Sequence, residues 1–125
     1  MLLLPLIALN AAVLDEPDWR EFDRRPRGWG ETPTFYDAAR IERREARVRM
    51  WIRYRIMLSG LPDPRIEARI EIDCAGQRSR TLESITSDGA GSFAGPLRQR
   101  FHRRLRPIAA GSVEAALARR VCAQG

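Results

Sequence analysis

Apolar side chains alternate with mostly polar ones along residues 46–58, A-R-V-R-M-W-I-R-Y-R-I-M-L. The even positions are apolar, and the odd positions are mostly arginine, with Trp51 and Met57 between them. Because successive side chains of a strand point to opposite faces, this pattern predicts a long strand with one buried face and one wet, cationic face. On a helix the same apolar residues would spread around the cylinder and form no core face.

A second alternation, in residues 65–74, predicts the partner strand. Apolar side chains occupy its even positions, and Glu67, Arg69, Glu71 and Asp73 occupy the odd ones. The glycine and prolines of residues 59–64 form a turn between the two runs, so we expect an antiparallel hairpin. Its wet face would set the arginines of the first strand opposite the acidic side chains of the second. Many of the arginines would then form ion pairs with acidic side chains of the same sheet.

Shorter elements are expected on both sides of this hairpin. Before it, we expect a brief strand at residues 19–22, a loop at 24–34 containing Trp29, a brief strand at 35–37, a turn of helix or a bend at 38–41 and a hairpin tip at 43–45. After it, we expect turns at 75–77 and 88–91 around a strand at 78–87, and one more strand or an ordered loop at 92–97. The basic residues 98–106 predict either a solvated linker or an anion-binding surface.

The C-terminal segment predicts a helix. Ser112 is an N-cap residue that follows a glycine, Glu114 lies in the first turn, and Arg119 and Arg120 lie in the last turn. Both charge placements suit the helix dipole. The apolar residues recur at helical spacing and make one stripe, which has to pack on the sheet: they are Val113, Ala116, Leu117 and Val121.

Together these elements predict an α+β fold: a small antiparallel β-sheet of about five to six strands with a C-terminal helix packed on one face. The length of 125 residues indicates a single domain, which we assign to residues 13–125. Residues 1–12 predict a signal peptide, because small residues follow an apolar run, and the missing basic n-region indicates that this leader is truncated at its start. A buried N-terminal strand or helix is the alternative. The run is too short to cross a membrane, so no transmembrane segment is expected.

The chain has two cysteines, Cys74 and Cys122. If they were bridged, the bond would fix the last helix to the second strand of the hairpin, as in many exported proteins. The alternative interpretation is that both cysteines are buried free thiols. Two cysteines and the single His102 make no recognisable zinc set, so no metal site is expected.

All of the 22 basic residues are arginine, and with 16 acidic residues the formal net charge is +6. The planar guanidinium pairs well with nucleic acid, acidic glycans or lipid phosphates. A GC-rich genome accounts for the arginine bias equally well. Six side chains are candidates for a binding surface: Trp51, Arg49, Arg53, Arg100, Arg103 and Arg104.

Several short sequence motifs follow one another along the chain, and their order resembles that of a known family. They are Asp18-Trp19, Phe35-Tyr36-Asp37, Ala39-Arg40-Ile41, Val48-Arg49-Met50-Trp51 with Tyr54, Ile72-Asp73-Cys74, residues 78–84, residues 107–112 and Val121-Cys122. This order resembles the surface-adhesin protein E family of exported bacterial proteins. The resemblance implies a disulfide between Cys74 and Cys122, a tendency to form a homodimer and, as in the best-known member, adhesion to host matrix proteins and a capacity for haem. His102 is the one histidine in the chain that could serve haem as a ligand.

The sequence favours a non-catalytic binding or envelope protein, periplasmic or secreted, whose partner is a protein or an acidic ligand. An enzyme is not expected, because no catalytic motif surrounds His102 or any serine, and no phosphate-binding loop is present. The alternative is a cytosolic, arginine-rich nucleic-acid-binding domain. The acidic residues interleaved on the facing strand make nucleic acid the less favoured partner.

Overall fold

The computed structural model describes residues 16–27, 30–55, 64–88 and 97–123. The predicted leader, Trp29, and most of the predicted turns at 59–64 and 88–91 and of the predicted strand or loop at 92–97 lie outside these residues. The described chain forms eight strands and one helix: β1 (Trp19–Arg27), β2 (Gly30–Asp37), β3 (Glu42–Arg44), β4 (Arg47–Arg55), β5 (Pro64–Asp73), β6 (Arg78–Asp88), β7 (Leu97–Arg100), β8 (Arg106–Pro107) and α1 (Val113–Val121).

The eight strands form one antiparallel sheet in the order β1-β2-β4-β5-β6-β7. Two short strands complete it, with β3 pairing with β4 beside β2 and β8 pairing with β6 beside β7. Strands β4 and β5 lie in the middle of this order and form the centre of the sheet. No helix in the described part of the chain is long and apolar enough to cross a membrane.

The predicted hairpin is present as β4 and β5. Val48 lies opposite Ile72, Met50 opposite Ile70 and Ile52 opposite Ala68. Residues directly opposite each other share a face, so all of these side chains point to one side of the sheet. They are buried there, as the alternation predicted.

Helix α1 covers this apolar side of the sheet. Its buried residues are Ala116, Leu117, Ala118 and Val121, and they join the side chains of β4 and β5 in one core. Phe22 and Tyr36 extend the core toward β1 and β2, with their ring centroids 5.9 Å apart in an edge-to-face arrangement. The predicted α+β architecture, with the helix packed on one face, is therefore confirmed.

Ser112 caps α1 as the sequence predicted. Its Oγ accepts a hydrogen bond from the backbone N–H of Ala115 at 3.1 Å. Two arginines of the sheet bind backbone carbonyls at the two ends of the helical segment. Arg25 donates to the carbonyl of Gly111 at 2.7 Å, and Arg43 donates to that of Val121 at 2.8 Å. The helix is thus fixed by polar contacts at both ends as well as by its apolar stripe.

A disulfide joins Cys74, just after β5, to Cys122, just after α1. The two Cα atoms are 5.7 Å apart, within the range that this bond requires. The alternative of two free thiols is therefore wrong. The bond closes the end of the core where β5 and α1 meet.

The expected number of strands is too low, since eight are present among the described residues instead of five to six. The predicted loop at 24–34 is mostly strand, because β1 and β2 form a hairpin that includes Pro26 and Pro33. A proline is tolerated where one strand edge is unpaired. Strand β1 is at the edge of the sheet, and β4 pairs with β2 only beyond Pro33.

The segment 98–106 is likewise not a free linker. It contains most of β7 and the first residue of β8, both of which pair with β6. The backbone N–H of Phe101 also donates to the carbonyl of Leu82 at 2.9 Å, where β6 has an irregularity opposite Arg69 and Ile70. Four- and two-residue strands are too short to show a period in sequence, which is why the pattern did not reveal them.

Candidate binding surface

The side of the sheet opposite α1 carries the odd-numbered residues of β4 and β5, and we call it the arginine face. Along it Arg47 lies opposite Asp73, Arg49 opposite Glu71, Trp51 opposite Arg69 and Arg53 opposite Glu67. The register therefore confirms the expectation that the arginines of β4 face the acidic side chains of β5.

Glu71 lies at the centre of a charge cluster on this face. Its side chain is only 1% exposed. Arg49 donates through Nε to Oε2 of Glu71 at 2.6 Å, and Arg80 of β6 donates through Nε to Oε1 at 2.8 Å. Arg47 lies further away, with Nη1 at 3.8 Å from Oε1. Three cations thus surround one buried carboxylate.

The surrounding arginines determine the charge of this carboxylate. Burial alone would raise the pKa of Glu71, because a charged group loses hydration. The hydrogen bond from Arg49 and the charges of Arg80 and Arg49 together outweigh burial, so the pKa of Glu71 is lowered. Glu71 is therefore an ionised structural anchor that orients Arg49 and Arg80.

Asp73 makes a second charged contact at the end of β5. It accepts hydrogen bonds from Arg78 at 3.0 Å and from the backbone N–H of Gly76 at 3.1 Å. The hydrogen bond from Arg78, followed by that from Gly76, lowers the pKa of Asp73. A Cβ on Gly76 would come 2.6 Å from Oδ2 of Asp73, so a larger residue there would displace this carboxylate from its present position.

Arg53 lies between aromatic rings on the arginine face. Its Cζ is 4.5 Å from the ring centroid of Trp19 and 5.7 Å from that of Phe35. A guanidinium is attracted to the face of an aromatic ring, which also restricts its motion. Trp51, two residues away on the same side of β4, is half-buried. Together these four residues form what we call the aromatic–arginine cluster.

The sequence indicated Trp51, Arg49 and Arg53 of this face but not the roles of Trp19 and Phe35. The pairing of β2 with β4 places Phe35 opposite Arg53. A period-two pattern in the short run around Phe35 predicts which side of the sheet its ring is on. It does not predict which residue of another strand lies beside that ring. Only the register between strands that are not consecutive in the chain brings these rings to Arg53.

The other predicted site residues lie on the far edge of the sheet. Arg100 is mostly exposed, with Nε 3.7 Å from Oε2 of Glu83. Arg103 stacks on Phe101, with Cζ 4.3 Å from the ring centroid. The backbone carbonyl of Arg103 accepts a hydrogen bond from Arg80 at 3.2 Å. Arg80 therefore links the Glu71 cluster to the basic segment.

Arg103 and Arg104 also line a cleft of about 590 Å³ beside the start of α1. We call this the arginine cleft, and it lies between β6, residues 103–109 and the first turn of the helix. Its lining on the sheet side includes Ile70, Ser79 and Thr81. Ile70 lies opposite Thr81, so the cleft opens on the side of the sheet that α1 covers. The predicted residues thus divide between two surfaces.

No group of three or more histidine, cysteine, aspartate or glutamate side chains within the described ranges could hold a metal ion. His102 is exposed between β7 and β8 and does not line the arginine cleft. The capacity for haem stays an expectation from the family resemblance alone.

Searches of protein-family models, of curated proteins and of solved structures each found no match to this chain. The resemblance to the surface-adhesin protein E family stays a prediction from the motifs of the chain.

Proposed function

We propose that the protein is an exported, non-catalytic binding protein of the surface-adhesin protein E type, acting in the periplasm or outside the cell. The observation that carries this proposal is the disulfide between Cys74 and Cys122. Such bonds persist in oxidising compartments and are rare in the cytosol. The predicted signal peptide at residues 1–12 supports the same location.

The proposed contact surface is the aromatic–arginine cluster. Arg53 is held by two rings, and Trp51 lies beside it on a central strand of the sheet. Tryptophan and arginine on a rigid support lose little conformational freedom when a partner binds, and both residue types are common at binding hot spots. The positive charge of Arg53 favours an acidic protein segment as the partner.

Location is tested by expressing the complete gene and fractionating the cells. The protein is expected outside the cytosol, and alkylation without a reductant should leave Cys74 and Cys122 unmodified. A reduced, cytosolic protein that elutes from heparin with a steep salt dependence would contradict export and favour the nucleic-acid-binding alternative, because phosphate contacts release counterions.

Binding is tested by titrating the purified protein with an acidic peptide, polyglutamate, while recording tryptophan fluorescence. Truncation of a hot-spot side chain commonly costs 1 to several kcal/mol, so Arg53→Ala and Trp51→Ala should each weaken binding by about tenfold or more. Arg119→Ala is the matched control, since Arg119 is exposed on α1. Equal affinities of all four proteins would refute the assignment of this surface.

A further inference from the structure

The arginine cleft has an uneven distribution of charge. Four arginines line it, and Glu114 is the single acidic residue among the lining side chains. Arg80 is already used, because it donates to Glu71 and to the carbonyl of Arg103. Arg104 and Arg106 are exposed, and their side chains make no ion pair with any residue that the structure describes. The lining residues that the structure describes therefore carry a net positive charge.

Strand β8 determines where one of these charges lies. Arg106 pairs directly opposite Ser79, so both side chains share the face of the sheet on which the cleft opens. Ser79 and Thr81 add hydroxyl groups to the same wall. Guanidinium and hydroxyl donors in one wall match the acceptor oxygens of a phosphate, which arginine binds through two parallel hydrogen bonds.

The remainder of the cleft is apolar. Ile70, Pro107, Ile108 and Ala109 complete the lining. The volume of about 590 Å³ is that of a pocket for a small organic molecule and far exceeds the space that a bare inorganic ion needs. The ligand should therefore carry an apolar body in addition to its anionic group.

We propose that the arginine cleft binds a phosphate group attached to a short apolar chain, as in an anionic phospholipid or a free phosphorylated amphiphile. Arg104 and Arg106 bind the phosphate, and Pro107 and Ile108 contact the apolar part. Glu114 repels the anion from the helix side and so directs the phosphate toward the arginines. This site lies on the opposite side of the sheet from the aromatic–arginine cluster, so the two proposals fail or succeed separately.

The test is a calorimetric titration of the full chain with dihexanoyl phosphatidic acid, a soluble lipid phosphate. Loss of two charge-assisted contacts in the double variant Arg104→Ala/Arg106→Ala should weaken binding by about tenfold or more. Removing the like charge in Glu114→Gln should strengthen binding by about threefold. The matched control Arg119→Ala/Arg120→Ala, which removes two exposed arginines of α1, should leave the affinity unchanged.

Two further probes define the ligand. Inorganic phosphate should bind at least about tenfold more weakly, because it lacks the apolar body. Flotation with phosphatidylcholine vesicles, with and without phosphatidylglycerol, identifies the source of the phosphate. Binding that depends on phosphatidylglycerol and on Arg104 and Arg106 supports a membrane lipid, and binding of the soluble lipid alone supports a free amphiphile.

Three results would overturn the proposal. The first is no binding of the soluble lipid phosphate, and the second is equal weakening by the cleft variant and the α1 control. The third is displacement of the lipid by a short single-stranded DNA of the same charge, which would assign the cleft to nucleic acid. The α1 control separates a specific site from general attraction to a basic protein, because both double arginine variants lower the net charge of the protein by the same amount.

Discussion

Glu71 is the residue on which the arginine face depends most. Its carboxylate is buried beneath Arg49 and Arg80, and Arg47 lies close by. Each arginine is partly exposed and keeps some contact with water, whereas the carboxylate has almost none. The network therefore depends on the negative charge of Glu71 more than on any one of its partners.

Replacing Glu71 by glutamine keeps the shape of the side chain and removes the charge. We expect Glu71→Gln to lower the free energy of unfolding by about 2 kcal/mol, because hydrogen bonds from two guanidinium groups are weakened in a buried site. Urea unfolding measures the change. Glu67→Gln, on the same face of β5, is the matched control and should change stability by less than about 0.5 kcal/mol. Equal effects of the two substitutions would contradict the special role of Glu71.

The same carboxylates give the protein a predictable response to acid. The pKa values of Glu71 and Asp73 are lowered in the folded state. Their contribution to stability is therefore complete above the unfolded pKa values, about 4.3 for Glu and about 3.9 for Asp, and is lost as the pH falls through the lower folded values. Unfolding free energies measured below about pH 4 should decline steeply. The decline should be shallower in Glu71→Gln, and an unchanged slope in that variant would refute the prediction.

At the scale of elements, α1 is short, and the hydrogen bond of its N-cap is a large part of what defines its start. We expect Ser112→Ala to cost about 1 kcal/mol of stability, because the N–H of Ala115 loses its acceptor. Ser112→Thr retains the hydroxyl and should stay within about 0.5 kcal/mol of the natural protein. Thermal and urea unfolding of both variants measure these changes. If the alanine and threonine variants had equal stability, the cap would not contribute.

The elements that the sequence predicted correctly are those with a clear period. Strands β4 and β5 each alternate over most of their length, and α1 has both a cap and an apolar stripe. The hairpin of β1 and β2 was missed because prolines and glycines in residues 24–34 are typical of a loop. Prolines at unpaired positions of a strand are compatible with a sheet, but the pairing partner decides which positions are unpaired.

At the scale of the whole molecule, the disulfide connects parts of the chain that are 48 residues apart. A loop of this length is expected to contribute about 4 kcal/mol through the lost entropy of the unfolded chain. The double variant Cys74→Ser/Cys122→Ser should be less stable by about that amount. Because small domains have total stabilities of about 5–15 kcal/mol, this loss is a large fraction of the whole.

Urea unfolding of the natural protein with and without a reductant tests this prediction without any substitution. The reduced protein and the double serine variant should unfold at the same urea concentration, well below that of the oxidised protein. An unfolding midpoint that does not respond to the reductant would show that the bond contributes nothing. Peptide mapping under non-reducing conditions is the control that the natural protein entered the experiment oxidised.

The sequence alone determined the β4–β5 hairpin, the face of each of its side chains and the capped C-terminal helix, because periods of two and of 3.6 residues are local properties. Only the tertiary structure decided that Arg80 joins Arg49 at Glu71, that Trp19 and Phe35 hold Arg53, and that Arg106 lies opposite Ser79. Each of these sets brings together side chains from strands that are not consecutive in the chain, β4 with β6, β1 and β2 with β4, and β6 with β8. The register of these strands is set by packing of their apolar sides against the common core. A pattern within one short stretch of sequence holds no information about that packing.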